Sequence, residues 1–174
     1  KKKKKIKYKI CFFDGINQLK LHKIILKSST RAGFCKSDIY YRPHPNQSTT
    51  ESCKNWLKAG GIKKNILATK DHNLYETINK TEICIHDFSS TILEAASFKK
   101  NILYTNMNYK KIKINLPQKN HFSTENELTY KLMKIKEKSS YKFKNLWKYG
   151  LSEVNSDDEI FKTMYNTIFS ENKN

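Results

Sequence analysis

The constraint that shapes this chain most is a repeated alternation of short apolar runs with helix-like stretches. Residues 6–13 (IKYKICFF) read as a strand broken by Asp14-Gly15. Residues 18–26 follow with Leu19, Leu21, Ile24, Ile25 and Leu26, a helical spacing. Residues 38–41 form a short strand that runs into Pro43, and residues 49–59 read as a helix, with Ser48 or Thr50 as cap and Gly60-Gly61 as stop. The same order then recurs: strand 65–69, short helix 73–79, strand 82–86, helix 90–98 with Ser89 or Ser90 at its cap, strand 101–104. Strands separated by helices at this spacing imply βαβ units and a parallel sheet. The expected architecture is three-layer α/β/α, with about five parallel strands.

Beyond Thr105 the pattern changes. Residues 106–120 are polar and basic, contain Pro117 and read as a loop. Residues 125–138 carry Leu128, Leu132, Met133 and Ile135 at helical spacing. A last helix over 157–169 starts at Asp157, Asp158 and Glu159, acidic residues suited to a helix start. Residues 1–5 are a basic tail and residues 6–174 the domain. No internal repeat occurs, and nothing matches GxGxxG or GxxxxGK[ST]. The fingerprints of ordinary dehydrogenases and P-loop proteins are therefore missing.

A chain of 174 residues is one domain able to bury a real core. Its hydrophobic fraction of 37% is low, but ten Tyr and nine Phe argue against a disordered chain. Lys+Arg of 34 against Asp+Glu of 16 gives a net charge of +18, a field that favours anionic partners. Much of the surplus is Lys scattered along helices, so a solvated basic surface accounts for most of it. Dispersed charge without a helix-turn-helix, RNP or zinc pattern weighs against nucleic acid. Cys11, Cys35, Cys53 and Cys84 form no CxxC pair, and reduced thiols in a cytoplasmic protein are expected. No metal-ligand spacing is visible and no cofactor is implied. No apolar run reaches the roughly 18 residues of a membrane span. The Lys1 to Lys5 run suits an anionic membrane surface as well as a solvated terminus.

Two motifs sit where a strand stops and a helix starts. Open α/β sheets bind ligands there, beyond the carboxyl ends of their strands. The first is Tyr40-Tyr41-Arg42-Pro43-His44-Pro45-Asn46. Pro43 and Pro45 stiffen the backbone around His44, which can donate to a phosphate or act as an acid toward a leaving phosphate. Arg42 lies two residues earlier, on the same face, and can fork onto phosphate or carboxylate. The second motif is Asp87-Phe88-Ser89-Ser90-Thr91 followed by Glu94. Ser89, Ser90 and Thr91 offer more hydroxyls than a cap needs, beside the free N–H groups of a helix start. Glu94 is one turn beyond Ser90 and suits ribose hydroxyls. Asp14, Asp71 and Asp87 end strands at the same rim; a turn explains Asp14-Gly15 equally well. His86, at the strand end, is expected to point opposite to Asp87 and is assigned no role.

Arg42-Pro43-His44-Pro45, then Asp87-Phe88-Ser89-Ser90 with Glu94 in the next turn, resembles the carboxyl-terminal donor domain of GT-B-type transferases that use CMP- or CDP-activated donors. The pattern is similar to the RPHPN and (D)(Y/F)SS motifs of the CDP-glycerol glycerophosphotransferases of teichoic-acid synthesis. Bacterial sialyltransferases with an HP motif and a serine motif are similar in logic. The resemblance covers residues 38–104. It implies one Rossmann-like half of a two-half fold, with a cytidine nucleotide in the cleft. It also implies donor-phosphate contacts from His44, Ser89 and Ser90, a polysaccharide or lipid-linked acceptor, and an N-terminal acceptor domain outside this chain. Asp14-Gly15 is similar to the Asp/Glu-Gly motif of those sialyltransferases but lies too close to His44 for their usual layout. His44-Pro45-Asn46 also resembles a segment of UDP-GlcNAc 2-epimerase, whose serine–glycine–glycine loop and later arginine–glutamate motif are not found here. The expected function is donor binding in a surface-polysaccharide transferase, with a non-catalytic nucleotide-binding module and a basic nucleic-acid-binding protein as alternatives.

Overall fold

A computed structural model describes residues 6–15, 17–45, 49–87, 89–107 and 116–144. The chain runs β1 (Tyr8–Phe13), α1 (Leu19–Arg31), β2 (Ile39–Arg42), α2 (Thr49–Lys58), α3 (Leu74–Lys80), β3 (Thr81–Asp87), α4 (Thr91–Ser97), β4 (Asn101–Thr105) and α5 (Glu125–Lys136). The basic tail, Asn46, the cap Ser48, Phe88 and the helix expected over 157–169 lie outside the described residues.

The sheet is parallel throughout, in the order β2-β1-β3-β4. Ile10 and Phe12 of β1, Tyr41 of β2 and Ile85 of β3 point to one face, where Leu21 and Ile25 of α1, Trp56 of α2 and Leu132 of α5 cover them. Cys11, Phe13, Cys84 and Tyr104 point to the other, under Ile78 of α3 and Ile92, Ala95 and Ala96 of α4. Strands buried on both faces explain why the runs read as continuously apolar rather than alternating. The expected three-layer α/β architecture is present. Cys11 and Cys84 are fully buried within it, and burial raises the Cys84 thiol to about 12.

The sheet has four strands among the described residues, not five. Residues 65–69 make a single parallel bridge, Tyr41 to Ile66, and Leu67 N–H donates to the Tyr41 carbonyl at 2.8 Å. The reason lies at Asn65. It closes a turn of 3-10 helix (Lys63–Asn65), and its buried amide donates to the carbonyls of Lys36, Ser37 and Ile39. The segment is tied to the sheet edge through a side chain instead of a ladder.

α1 also runs further than its apolar spacing implies, to Arg31. Ser28 and Ser29 are buried there, and the Ser28 hydroxyl donates to the Glu125 carbonyl of α5 at 3.0 Å. Packing against α5 thus extends a helix that local sequence would end. It stops at Gly33, whose φ of 81° suits glycine, with Phe34 N–H closing back on the Ser29 carbonyl. α5 starts at Thr124, whose hydroxyl accepts from Glu127 N–H at 3.2 Å.

α2 is pinned by one aromatic. Trp56 is fully buried and stacks on Tyr41, with ring centres 4.8 Å apart. A Cβ on Gly61 would lie 2.2 Å from the indole nitrogen, so the chain passes the ring only because position 61 has no side chain. Gly61→Ala should therefore cost about 1–3 kcal/mol of stability by overpacking. Urea denaturation checks this; an unchanged midpoint would show that the indole has room to move.

Candidate functional site

A cleft of about 390 Å³ opens at the carboxyl ends of β1, β2 and β3. Phe13, Asp14, Arg42, Pro43, His44, Pro45, Thr69, Leu74, Ser89, Ser90, Thr91 and Glu94 line it. The two motifs, some forty residues apart in sequence, thus meet in one concavity. Its position follows from topology. β1 pairs with β2 on one edge and β3 on the other, so the chain reverses its winding direction at β1, and such switch points open a crevice.

His44 is half-buried in this wall, between a buried Pro43 and an exposed Pro45. Arg42 is nearly buried, and its Nη1 donates to the His72 carbonyl at 2.8 Å and lies 3.5 Å from the Thr77 hydroxyl. Part of its fork therefore anchors the start of α3 instead of facing the cleft. Burial lowers its pKa while the Glu94 charge opposes that. Glu94, from α4, is 7% exposed, and its Oε2 has no hydrogen-bond partner among the described residues. Burial lifts its carboxyl to about 7, with the Arg42 charge working the other way.

The start of α4 supplies little of the anion-attracting field expected of a helix start. α4 has only seven residues, too short for much of a dipole, and Ser90 at its N-cap makes no side-chain capping bond. Ser89 Oγ instead lies 2.5 Å from Thr91 Oγ1, and Thr91 Oγ1 lies 3.0 Å from Nδ1 of His86. Hydroxyls, not a helix field, form this wall. His86 is the residue that sequence reasoning left without a role. It is fully buried and stacks on Phe13 at 4.8 Å, and burial drops its pKa to about 3. The signal for it was the two-residue period of β3, which sets His86 on the α4 face with Cys84.

Asp14 gains definition from the structure. It is 3% exposed; its Oδ2 accepts from the Tyr41 hydroxyl at 2.7 Å and from His22 Nε2 at 2.9 Å. Burial, followed by the Asp14 charge and this bond, raises the Tyr41 phenol far above its usual value, so it stays a donor. Oδ1 of Asp14 has no hydrogen-bond partner among the described residues. A tyrosine on the neighbouring strand β2 and a histidine on α1 were not readable as its partners. Asp71 and Asp87 do not line the cleft. Asp71 is exposed in the turn after Thr69, and Asp87 is fully buried at the end of β3.

Among the described residues no three His, Cys, Asp or Glu side chains are grouped to hold a metal ion, and no helix there is long and apolar enough to cross a membrane. The chain matches no family model, no curated protein and no solved structure. What can be said of the site therefore rests on its own geometry within a parallel α/β domain.

Glu94 has a measurable consequence. Its pKa is higher folded than unfolded, so its contribution is intact below about 4.5 and is lost as pH rises through about 7. Replacing it with Gln removes that loss. The stability of Glu94→Gln relative to the parent should rise by about 2–3 kcal/mol between pH 5 and pH 8, at about 1.4 kcal/mol per pKa unit. Parallel urea-melt curves for the two proteins over that range would contradict it.

Proposed function

We propose that the cleft binds the phosphate and ribose of a cytidine nucleotide donor, CMP- or CDP-linked. The domain would then be the donor half of a transferase that passes a glycosyl or glycerol-phosphate unit to a surface polysaccharide such as capsule, lipopolysaccharide or teichoic acid. The observation that carries this reading is the convergence of His44, Ser89, Ser90 and Glu94 on one cleft at the switch point of a parallel sheet. His44 faces the leaving phosphate and neutralises or protonates it. Ser89 and Ser90 hold phosphate oxygens through their hydroxyls, with the Arg42 charge close by. The unpartnered oxygens of Glu94 and Asp14 are buried acceptors that call for donors. Ribose and acceptor hydroxyls are such donors. Asp14, its carboxylate held by Tyr41 and His22, is the candidate base. Thr69 and Leu74 also line the cleft and are available to the base and sugar.

Use of a cytidine nucleotide places the activity in the cytoplasm. The lysine surplus suits the anionic inner face of the membrane, where a lipid-linked or polymeric acceptor would be met.

A thermal-shift panel of CMP, CDP, UDP, GDP and ADP tests the reading. CMP or CDP should stabilise the fold more than purine nucleotides; at 100 times its dissociation constant a ligand adds about 2.7 kcal/mol. No shift with any pyrimidine nucleotide at millimolar concentration would overturn it. His44→Ala, and separately Ser89→Ala with Ser90→Ala, should each weaken CMP by about 1.5–3 kcal/mol, the worth of a charge-assisted hydrogen bond. Cytidine, lacking phosphate, should be nearly insensitive to both. Because Ser90 makes no capping bond, the double change should lower stability by only about 1 kcal/mol, from the lost Ser89–Thr91 bond. Titration calorimetry and urea melts separate the two effects.

A further inference from the structure

The hydroxyl wall of the cleft is backed by a chain of three side chains. His86 Nδ1, Thr91 Oγ1 and Ser89 Oγ lie in sequence at 3.0 Å and 2.5 Å. The far nitrogen of His86, Nε2, is buried and has no hydrogen-bond partner among the described residues. Neither hydroxyl makes another side-chain hydrogen bond there. Such a chain can run in two directions, and the imidazole tautomer selects between them.

With the proton on Nε2, a buried N–H points at nothing. Thr91 must then donate to Nδ1 and Ser89 to Thr91, so Ser89 offers only lone pairs to the cleft. With the proton on Nδ1, the ring donates to Thr91, Thr91 donates to Ser89, and the Ser89 proton is free to point outward. The second arrangement leaves a lone pair unpaired at Nε2 instead of a buried N–H. Among buried backbone groups an orphaned N–H is rarer than an under-satisfied acceptor, and the same asymmetry favours the second arrangement.

We infer that His86 and Thr91 form a directional relay that fixes Ser89 as a hydrogen-bond donor into the cleft, selecting a ligand atom with no proton of its own, such as an ionised phosphate oxygen. His86 is then a positioning residue that acts through Thr91, and Thr91 supports Ser89 instead of touching the ligand. Stacking on Phe13 holds the ring in place. Burial lowers the His86 pKa to about 3, so the ring is neutral through the physiological range and its tautomer, not its charge, sets the direction of the relay. This rests on the reading of the cleft as a phosphate site, but it predicts a tautomer that can be observed without any ligand.

The first measurement is nitrogen-15 NMR of histidine-labelled protein at pH 6–8, with the His86 signals assigned by their loss in His86→Phe. The expected result is a neutral ring protonated at Nδ1; a proton on Nε2 overturns the relay whatever the cleft binds. The second is binding of CMP, inorganic phosphate and cytidine. Thr91→Val, which keeps the shape and removes the hydroxyl, should weaken CMP and phosphate about tenfold and leave cytidine unchanged. Thr91→Ser should restore CMP binding to within about twofold. His86→Phe should weaken CMP as much as Thr91→Val does, and the double variant no further, because the two act as one unit. Parent-like CMP binding by Thr91→Val or His86→Phe overturns the relay and leaves the donor-site reading standing. A parent protein that binds neither CMP nor phosphate overturns both.

Discussion

The double pairing of β1 is the constraint on which the rest depends. β1 hydrogen-bonds to β2 on one edge and to β3 on the other, both parallel. Parallel neighbours need crossover connections, and these are right-handed. Stepping one way to β2 puts α1 on one face; stepping back past β1 to β3 puts α3 on the other. The segments leaving β1 and β3 therefore diverge toward opposite faces, and the cleft is the gap between them. Each motif residue owes its place to this reversal, because Arg42 ends β2 and His44 follows it, while Ser89 and Thr91 follow β3.

The gap is floored by polar groups that are costly to bury. Asp14 is held by Tyr41 and His22, and these sit among Phe12 and Trp56 in closely packed ring contacts. A buried carboxylate with two donors on one oxygen is fixed in direction, and its other oxygen is left unpaired. Glu94 and His86 carry similarly unpaired atoms. Each forgoes stability that an apolar residue would have kept. Three such groups at one strand-end cluster, two of them on the cleft wall, suit a site that meets a polar ligand better than they suit a core built only for stability.

Much of this was readable in advance. The order of elements and the three-layer class followed from apolar runs and helix signals. So did the placement of His44, Ser89 and Ser90 at strand ends and of Glu94 in the helix that follows, because strands buried on both faces leave an unmistakable apolar run. Three features were not readable. Residues 65–69 look like a strand, yet Asn65 spends its amide on backbone carbonyls and breaks the ladder. Ser28 and Ser29 look like the end of α1, yet α5 carries the helix on past them. Ser90 looks like a cap, yet it makes no capping bond, and Ser89 turns toward Thr91 instead.

Local sequence determined which segments are strand or helix and which residues stand at strand ends, because backbone preference and period-two or period-3.6 burial act over a few neighbours. Tertiary structure alone decided how those ends are wired. That Asp14 meets Tyr41 and His22, and that Arg42 spends a guanidinium nitrogen on the His72 carbonyl, depend on contacts between different elements. A hydrogen bond needs its partners placed to within a few tenths of an ångström. Sheet register and helix docking set that placement, and no short stretch of the chain encodes them.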